Sequence, residues 1–253
     1  MSISIELIKS LRDQSGVSIT ACKKALEEAN GDIDAAFDLL RKKGEAKAKE
    51  RAERATTEGV VAITSSSDKT SYVVIGCETD FVSKNEDFVT AVNDFSKQLL
   101  AGSEIQEASV TDLGLKMGEN VVLKDSGVID SGIVGAYVHS NNKVGAVVVL
   151  DGADSEIAKQ IAMHVTATKP KALNPEDVDA AYIEKELAFA KEELEKSGKP
   201  ESIFDKILSG KESKLRADAA LTAQSFVMNP DQTVAEFAKA NGATVTMFKL
   251  LSL

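Results

Sequence analysis

The sequence predicts an α+β protein: an N-terminal three-helix bundle, then two related α+β subdomains, the second interrupted by a helical hairpin. Three observations carry this. The first forty residues hold three amphipathic stripes separated by glycine-containing turns. GVVAIT with SYVVIGC, and IVGAYVH with KVGAVVVL, each read as strand, polar turn, strand. Each of these pairs is followed by an amphipathic helix, the pattern of an internal duplication. The expected boundaries are 1–40 for the bundle, 41–57 for a basic helical linker and 58–139 for the first subdomain. Residues 140–174 with 221–253 form the second, and 175–220 the inserted hairpin.

In the bundle, Ile5, Ile8 and Leu11 mark one helical face up to a break at Ser15-Gly16, and Ile19, Cys22, Leu26 and Ala29 mark a second. Asn30-Gly31 ends that helix because glycine accepts the left-handed conformation of a C-terminus. Asp32 then caps a third, striped by Ile33, Ala36, Phe37 and Leu40. Forty residues are marginal for independent stability, so the bundle is expected to present a surface. In 41–54, seven Lys or Arg face three Glu, a local +4. Alanines among long charged side chains predict a solvated helical linker, with contact to an acidic partner protein as the alternative.

Beyond residue 58, two apolar runs around SSSDKTS predict a hairpin, followed by a helix near 85–100 with Phe88, Val92, Phe95 and Leu99 on one face. ENVVLKDS reads as a further β segment. The scheme repeats around Ser140-Asn141-Asn142, with a helix stopped at Pro170. Two helical segments separated by Gly198-Lys199-Pro200 predict the inserted hairpin. LTAQSFVM reads as a strand, TVAEFAKANG as a helix ended by Gly242, and ATVTMFKL as a last strand.

Composition narrows the function. At 253 residues, 43% hydrophobic and 28% charged, the chain is of the globular type. A net charge of −10 disfavours a direct nucleic-acid partner, and the absence of Trp with 5% aromatics disfavours base-stacking platforms. Two distant cysteines point to a reducing compartment. No apolar stretch approaches bilayer length, and MSISIELIKSLRD lacks a secretory apolar core, so a cytoplasmic protein without a membrane partner is expected.

Catalytic chemistry is hard to find. His139 and His164 have no second ligand at metal spacing, so neither metal nor cofactor is expected; His139, near an exposed turn, is the better contact candidate. Neither G-x-S-x-G nor G-x-G-x-x-G after a strand occurs. Gly198-Lys199 and Gly210-Lys211 both fail the G-x-x-x-x-G-K-S/T pattern of a phosphate loop. The pattern favours a binding protein over an enzyme.

One stretch stands out. ETDFVSKN, residues 78–85, sets Asp80 beside Phe81 where a chain leaving a strand usually turns on Gly, Asn or Pro. Phe81 reads either as strand-end core or as a displayed ring. Thr79 as N-cap puts Asp80 in the first turn of a helix; Ser83 with Glu86 three residues on makes a capping box and leaves Asp80 and Phe81 on a shoulder before it.

LRDQSGVSITACKKALEEANGDIDAAFDLLRKKG resembles the N-terminal module of the bacterial elongation factor Ts family, a three-helix bundle of ubiquitin-associated type. ETDFVSKNEDF resembles that family's second signature, TDFV before a basic residue. GEN at 118–120, YVH, AMH, KP, PEDV, SGKP and SFVM follow in the family's order. The resemblance departs at Ala21, where the family has Asp, and at Val74 and Gly76, where Glu and Asn are common. The segment between Leu100 and Met117 is short, and relatives continue beyond the equivalent of Leu253 into a C-terminal helix.

The resemblance implies guanine-nucleotide exchange on elongation factor Tu, in its GDP-bound and nucleotide-free forms. Thr79, Asp80, Phe81 and Val82 then form the segment that inserts into the partner and disturbs its Mg²⁺ site. Arg12, Lys23, Met117, Gly118 and His139 become further contacts, and the 175–220 hairpin a docking or homodimerisation arm. The alternative is a ubiquitin-associated-like interaction adaptor without exchange activity, dependent on residues 1–40 and indifferent to Phe81. A nucleotide-handling enzyme is disfavoured by the missing phosphate loop.

Overall fold

The computed structural model describes residues 3–130, 132–152, 154–197 and 200–253, with residues 45–49 described in backbone only. The fold is α+β, in two units: Met1–Ile129 with Asn141–Lys143 and Ser252–Leu253, and Asp130–Ser140 with Val144–Leu251.

The first unit begins with α1 (Ile5–Ser15), α2 (Ile19–Glu28) and α3 (Ile33–Arg51). Ser4 and Ser18 cap α1 and α2 by accepting the amides of Leu7 and Ala21, and Asp32 accepts those of Asp34 and Ala35 at the start of α3. Gly16 closes α1 in the left-handed region at φ +66°. Leu11, Cys22, Ala25, Leu26, Ala36 and Leu40 form the bundle core. Ile5 and Ile19, expected on the inner faces, instead stand 80% and 56% exposed, each at the first helical position behind its serine cap. Nor does the third helix stop at residue 40. It runs through the segment read as a separate linker and lies against a later helix, with Arg41 3.6 Å from Asp112 and buried Gly44 against Leu115.

β1 (Glu58–Ser65), β2 (Thr70–Cys77), α4 (Asp80–Ser83), α5 (Glu86–Leu100), α6 (Glu107–Met117) and β3 (Val122–Ile129) complete the unit. The sheet order is β1-β2-β3, antiparallel throughout, with Val61 opposite Val74 and Val74 opposite Asp125. β2 is central, which explains an apolar run with little alternation. α5 lays Phe88 and Val92, both fully buried, onto this sheet. Ser71 Oγ donates to Ser96 O at 2.7 Å and lies 3.0 Å from Ser96 Oγ, so the buried hydroxyls between sheet and helix are satisfied. α6 is a helix where the sequence reading left a gap.

The second unit holds β4 (Ile133–Val138), β5 (Val144–Asp151), α7 (Ser155–Thr168), α8 (Ala180–Lys196), α9 (Phe204–Ala219), β6 (Ser225–Phe226), β7 (Asn229–Thr233), α10 (Val234–Ala240) and, up to Leu251, β8 (Thr244–Ser252). The sheet order is β4-β5-β8. Since β4 pairs with β5 along its whole length, residues 133–138 belong here and not with 58–139 as the sequence boundary had them. α7, capped by Asp154, lies so close to β4 that a Cβ on Gly135 would sit 2.1 Å from the Lys159 amide nitrogen. α8 and α9 pack together where the hairpin was expected, with Lys211 3.3 Å from Glu193; the Gly198-Lys199 turn lies outside the described residues. LTAQSFVM is not a strand: Leu221–Ala223 make a 3-10 turn and only Ser225–Phe226 extend.

His164 of α7 is wholly buried. Its Nδ1 accepts the Val227 amide at 3.2 Å, so Nε2 carries the proton and donates to Gln224 Oε1 at 2.9 Å. Burial holds this imidazole below its ordinary pKa of 6.5.

Candidate functional site

The stretch after β2 does two opposite things within four residues. Thr79 leaves the strand in extended conformation (φ −123°, ψ 157°) and caps the one-turn helix α4, its Oγ1 accepting the Val82 amide at 3.4 Å. Val82 then points inward, 9% exposed, and joins Phe88, Val92 and Leu113 in the core. Phe81 points outward and is 83% exposed, the highest value for a large apolar side chain among the described residues. It is therefore not strand-end core. Neither anticipated residue caps the long helix: Asn85 does, accepting the amides of Asp87 and Phe88, so Thr79 serves a separate short turn. Placing Asp80 and Phe81 on a helical turn of their own sets the ring ahead of α5.

Asp80 Oδ2 lies 2.8 Å from Lys84 Nζ, one helical turn on. That hydrogen bond and charge hold the Asp80 carboxyl below its ordinary range and raise the Lys84 ammonium. The pair is open to solvent and stabilises the fold little. It leaves a charged carboxylate next to a bare aromatic ring.

Polar side chains from across the sequence brace the strand exit. Glu119 Oε2 accepts the amides of Glu78 and Thr79 at 2.9 and 3.0 Å, while its Oε1 accepts the Thr79 hydroxyl at 2.5 Å. In return Glu78 Oε1 accepts the Asn120 amide at 2.6 Å, which with nearby Arg54 keeps the Glu78 carboxyl ionised to lower pH than usual. Asn120, 8% exposed, donates through Nδ2 to the Arg54 carbonyl. Each of the two chain segments is thus held by the other's carboxylate. Burial, then the nearby Glu119 and Glu58, push the Cys77 thiol up to about 12, so it stands here as an inert core thiol.

The same brace brings Met117 and Gly118 to the motif, because Glu119 follows them directly. Met117 ends α6 and packs against the core that holds Val82; Gly118 closes the helix at φ +76°. Arg12 of α1 and Lys23 of α2 are exposed in the same unit, Lys23 lying 3.9 Å from Glu27. His139, in the second unit, is exposed just beyond β4, its Nδ1 3.1 Å from the Tyr137 hydroxyl. The sequence reading missed Glu119, Asn120 and Arg54 as bracing residues. Glu119 and Asn120 carry one signal in the sequence, the string GEN, and Arg54 carries none.

Among the described residues no group of three or more His, Cys, Asp or Glu side chains is arranged to hold a metal ion, and no helix is long and apolar enough to cross a membrane. Fold and site define a class: an α+β protein whose chief exposed feature is an aromatic ring held out on braced backbone. Residues 78–253 match the family described as Elongation factor TS. Relatives named Elongation factor Ts include that of Cellvibrio japonicus, 37% identical across all of this chain and 91% of its own length. That of Ruegeria sp. is 39% identical over 98% of this chain and 91% of the relative, and that of Shewanella amazonensis 40% over 98% and 89%. The chain belongs to the elongation factor Ts family.

Proposed function

We propose that this chain is a guanine-nucleotide exchange factor for elongation factor Tu, acting through Thr79–Val82. The observation that carries the reading is Phe81, 83% exposed on a turn whose neighbour Val82 is buried. A ring this exposed gains by entering a pocket on another protein, and that gain can offset a distortion of the partner's nucleotide site.

Exchange needs no acid, base or cofactor of its own. A factor that binds the nucleotide-free partner more tightly than the GDP-bound one must, by linkage, weaken GDP to the same degree. The differential arises in contacts made only when the phosphate and Mg²⁺ sites are disturbed. Asp80 supplies a carboxylate that trades its Lys84 partner for groups around that ion, an exchange of one exposed ion pair for another and therefore inexpensive. Met117 and Gly118, next to the brace, extend the contact; Arg12, Lys23 and His139 are the remaining contact positions. The paired α8 and α9 serve as a docking or homodimerisation arm. The division into bundle, two α+β subdomains and inserted hairpin is part of this reading, as is cytoplasmic action without nucleic acid or membrane.

The test is calorimetric titration of the chain into nucleotide-free and GDP-loaded elongation factor Tu. Tighter binding to the nucleotide-free form is expected; equal affinities would remove the basis for exchange, because a ligand with no preference shifts no equilibrium.

A further inference from the structure

We infer that Glu119 is a positioning residue for Phe81, and that through it Thr79–Val82 and Met117–Gly118 form one rigid surface. The inference rests on the reading of Phe81 as the inserted ring. Beyond Cys77 the ladder of β2 ends, leaving the amides of Glu78 and Thr79 without a strand partner. A single carboxylate takes both amides and the Thr79 hydroxyl. The hydroxyl so engaged is the one that accepts the Val82 amide, so the brace continues into the turn that bears Phe81.

This accounts for an otherwise unfavourable exposure. An apolar ring beside its own core tends to fold down onto it. Here the entry angle is fixed at two successive amides and one side chain, and Val82 already occupies the inward direction. Glu119 itself is half-buried and directed at the backbone of residues 78 and 79, so its effect on a partner passes through Phe81. The reciprocal bond from the Asn120 amide to Glu78 ties the far side of the joint, so neither segment shifts alone. A carboxylate accepting several donors is among the stronger hydrogen-bonded arrangements a protein builds.

The experiment has two arms on the full chain. In the wild-type protein, amide hydrogen exchange followed by NMR should show Glu78, Thr79 and Asn120 protected at least about 100-fold relative to open loops, like ordered elements. Exchange at loop rates would overturn the inference without any variant being made. In the second arm, release of a fluorescent GDP analogue from elongation factor Tu is measured for wild type, Glu119→Ala, Phe81→Ala and the double variant. Glu119→Ala should slow release about tenfold in the wild-type background, and less than about twofold when Phe81 is already gone, the non-additivity of two residues acting as one. An equal loss in both backgrounds overturns the positioning role even if the amides are protected. The two failures are separable: if Phe81→Ala releases GDP like wild type, the insertion reading falls and takes the positioning role with it. Loss on Phe81→Ala with unprotected amides sinks this inference alone.

Discussion

Replacing Phe81 with alanine separates binding from folding, because the ring is 83% exposed in the free protein. Full burial of a phenylalanine is worth about 1.5–3 kcal/mol. Phe81 keeps 83% of its surface exposed in the free protein, so the part still to be gained on insertion is about 1.2–2.5 kcal/mol. If that gain is realised only where the partner's nucleotide site is disturbed, its loss slows GDP release roughly 8- to 70-fold. The small buried remainder contributes no more than about 0.5 kcal/mol to folding, a shift in melting temperature of about 1–2 °C for a chain of this size. The assay is stopped-flow release of a fluorescent GDP analogue from elongation factor Tu, with calorimetric melting of the free variant beside it. Phe81→Leu, which keeps an apolar body, should fall between. A variant that melts many degrees lower while exchanging normally would refute the reasoning, since Phe81 would then be core.

Asp80→Asn keeps the shape and removes the charge; it should slow release while leaving the melting temperature unchanged, and a marked drop in melting temperature would make Asp80 a folding residue instead. His164 is buried neutral, so the unfolded chain takes up a proton near pH 6.5 that the folded chain resists. Stability should therefore fall as pH drops below about 6.5, and denaturant titrations should show a flatter acid limb in His164→Gln; parallel limbs would contradict this. Gly135→Ala forces a methyl into the backbone of α7 and should destabilise by at least the about 1–3 kcal/mol usual for overpacking, read from urea midpoints; a wild-type midpoint would mean the helix yields freely.

What the sequence made legible was local and periodic. α5 could be placed because Phe88, Val92, Phe95 and Leu99 recur at helical spacing over one buried sheet, and β2 because a central strand needs apolar residues on both faces. α6 escaped because Gly114 and scattered polar positions blur its period; that glycine is buried, its Cβ position only 3.1 Å from the Glu119 carbonyl oxygen. Ile5 and Ile19 misled because periodicity gives a face, not what lies behind it: in the first turns it is Leu7, Ile8 and Ala21 that pack against the bundle core. LTAQSFVM reads as a strand by composition, but only Ser225–Phe226 extend, and the Val227 amide that donates to His164 lies in the turn that follows. At the candidate site, exposure of Phe81 was a suspicion from ETDFVSKN. The Glu119 brace was invisible because it joins residues 40 and 41 positions apart, and such a hydrogen bond leaves no local pattern.

The most direct test of the account is the rate at which elongation factor Tu loses a fluorescent GDP analogue, measured at fixed Mg²⁺ with and without catalytic amounts of this chain. Acceleration by the wild type that multiplies with each turnover, and is largely lost in Phe81→Ala, is the predicted result. An unchanged release rate at concentrations where the two proteins demonstrably bind would contradict it.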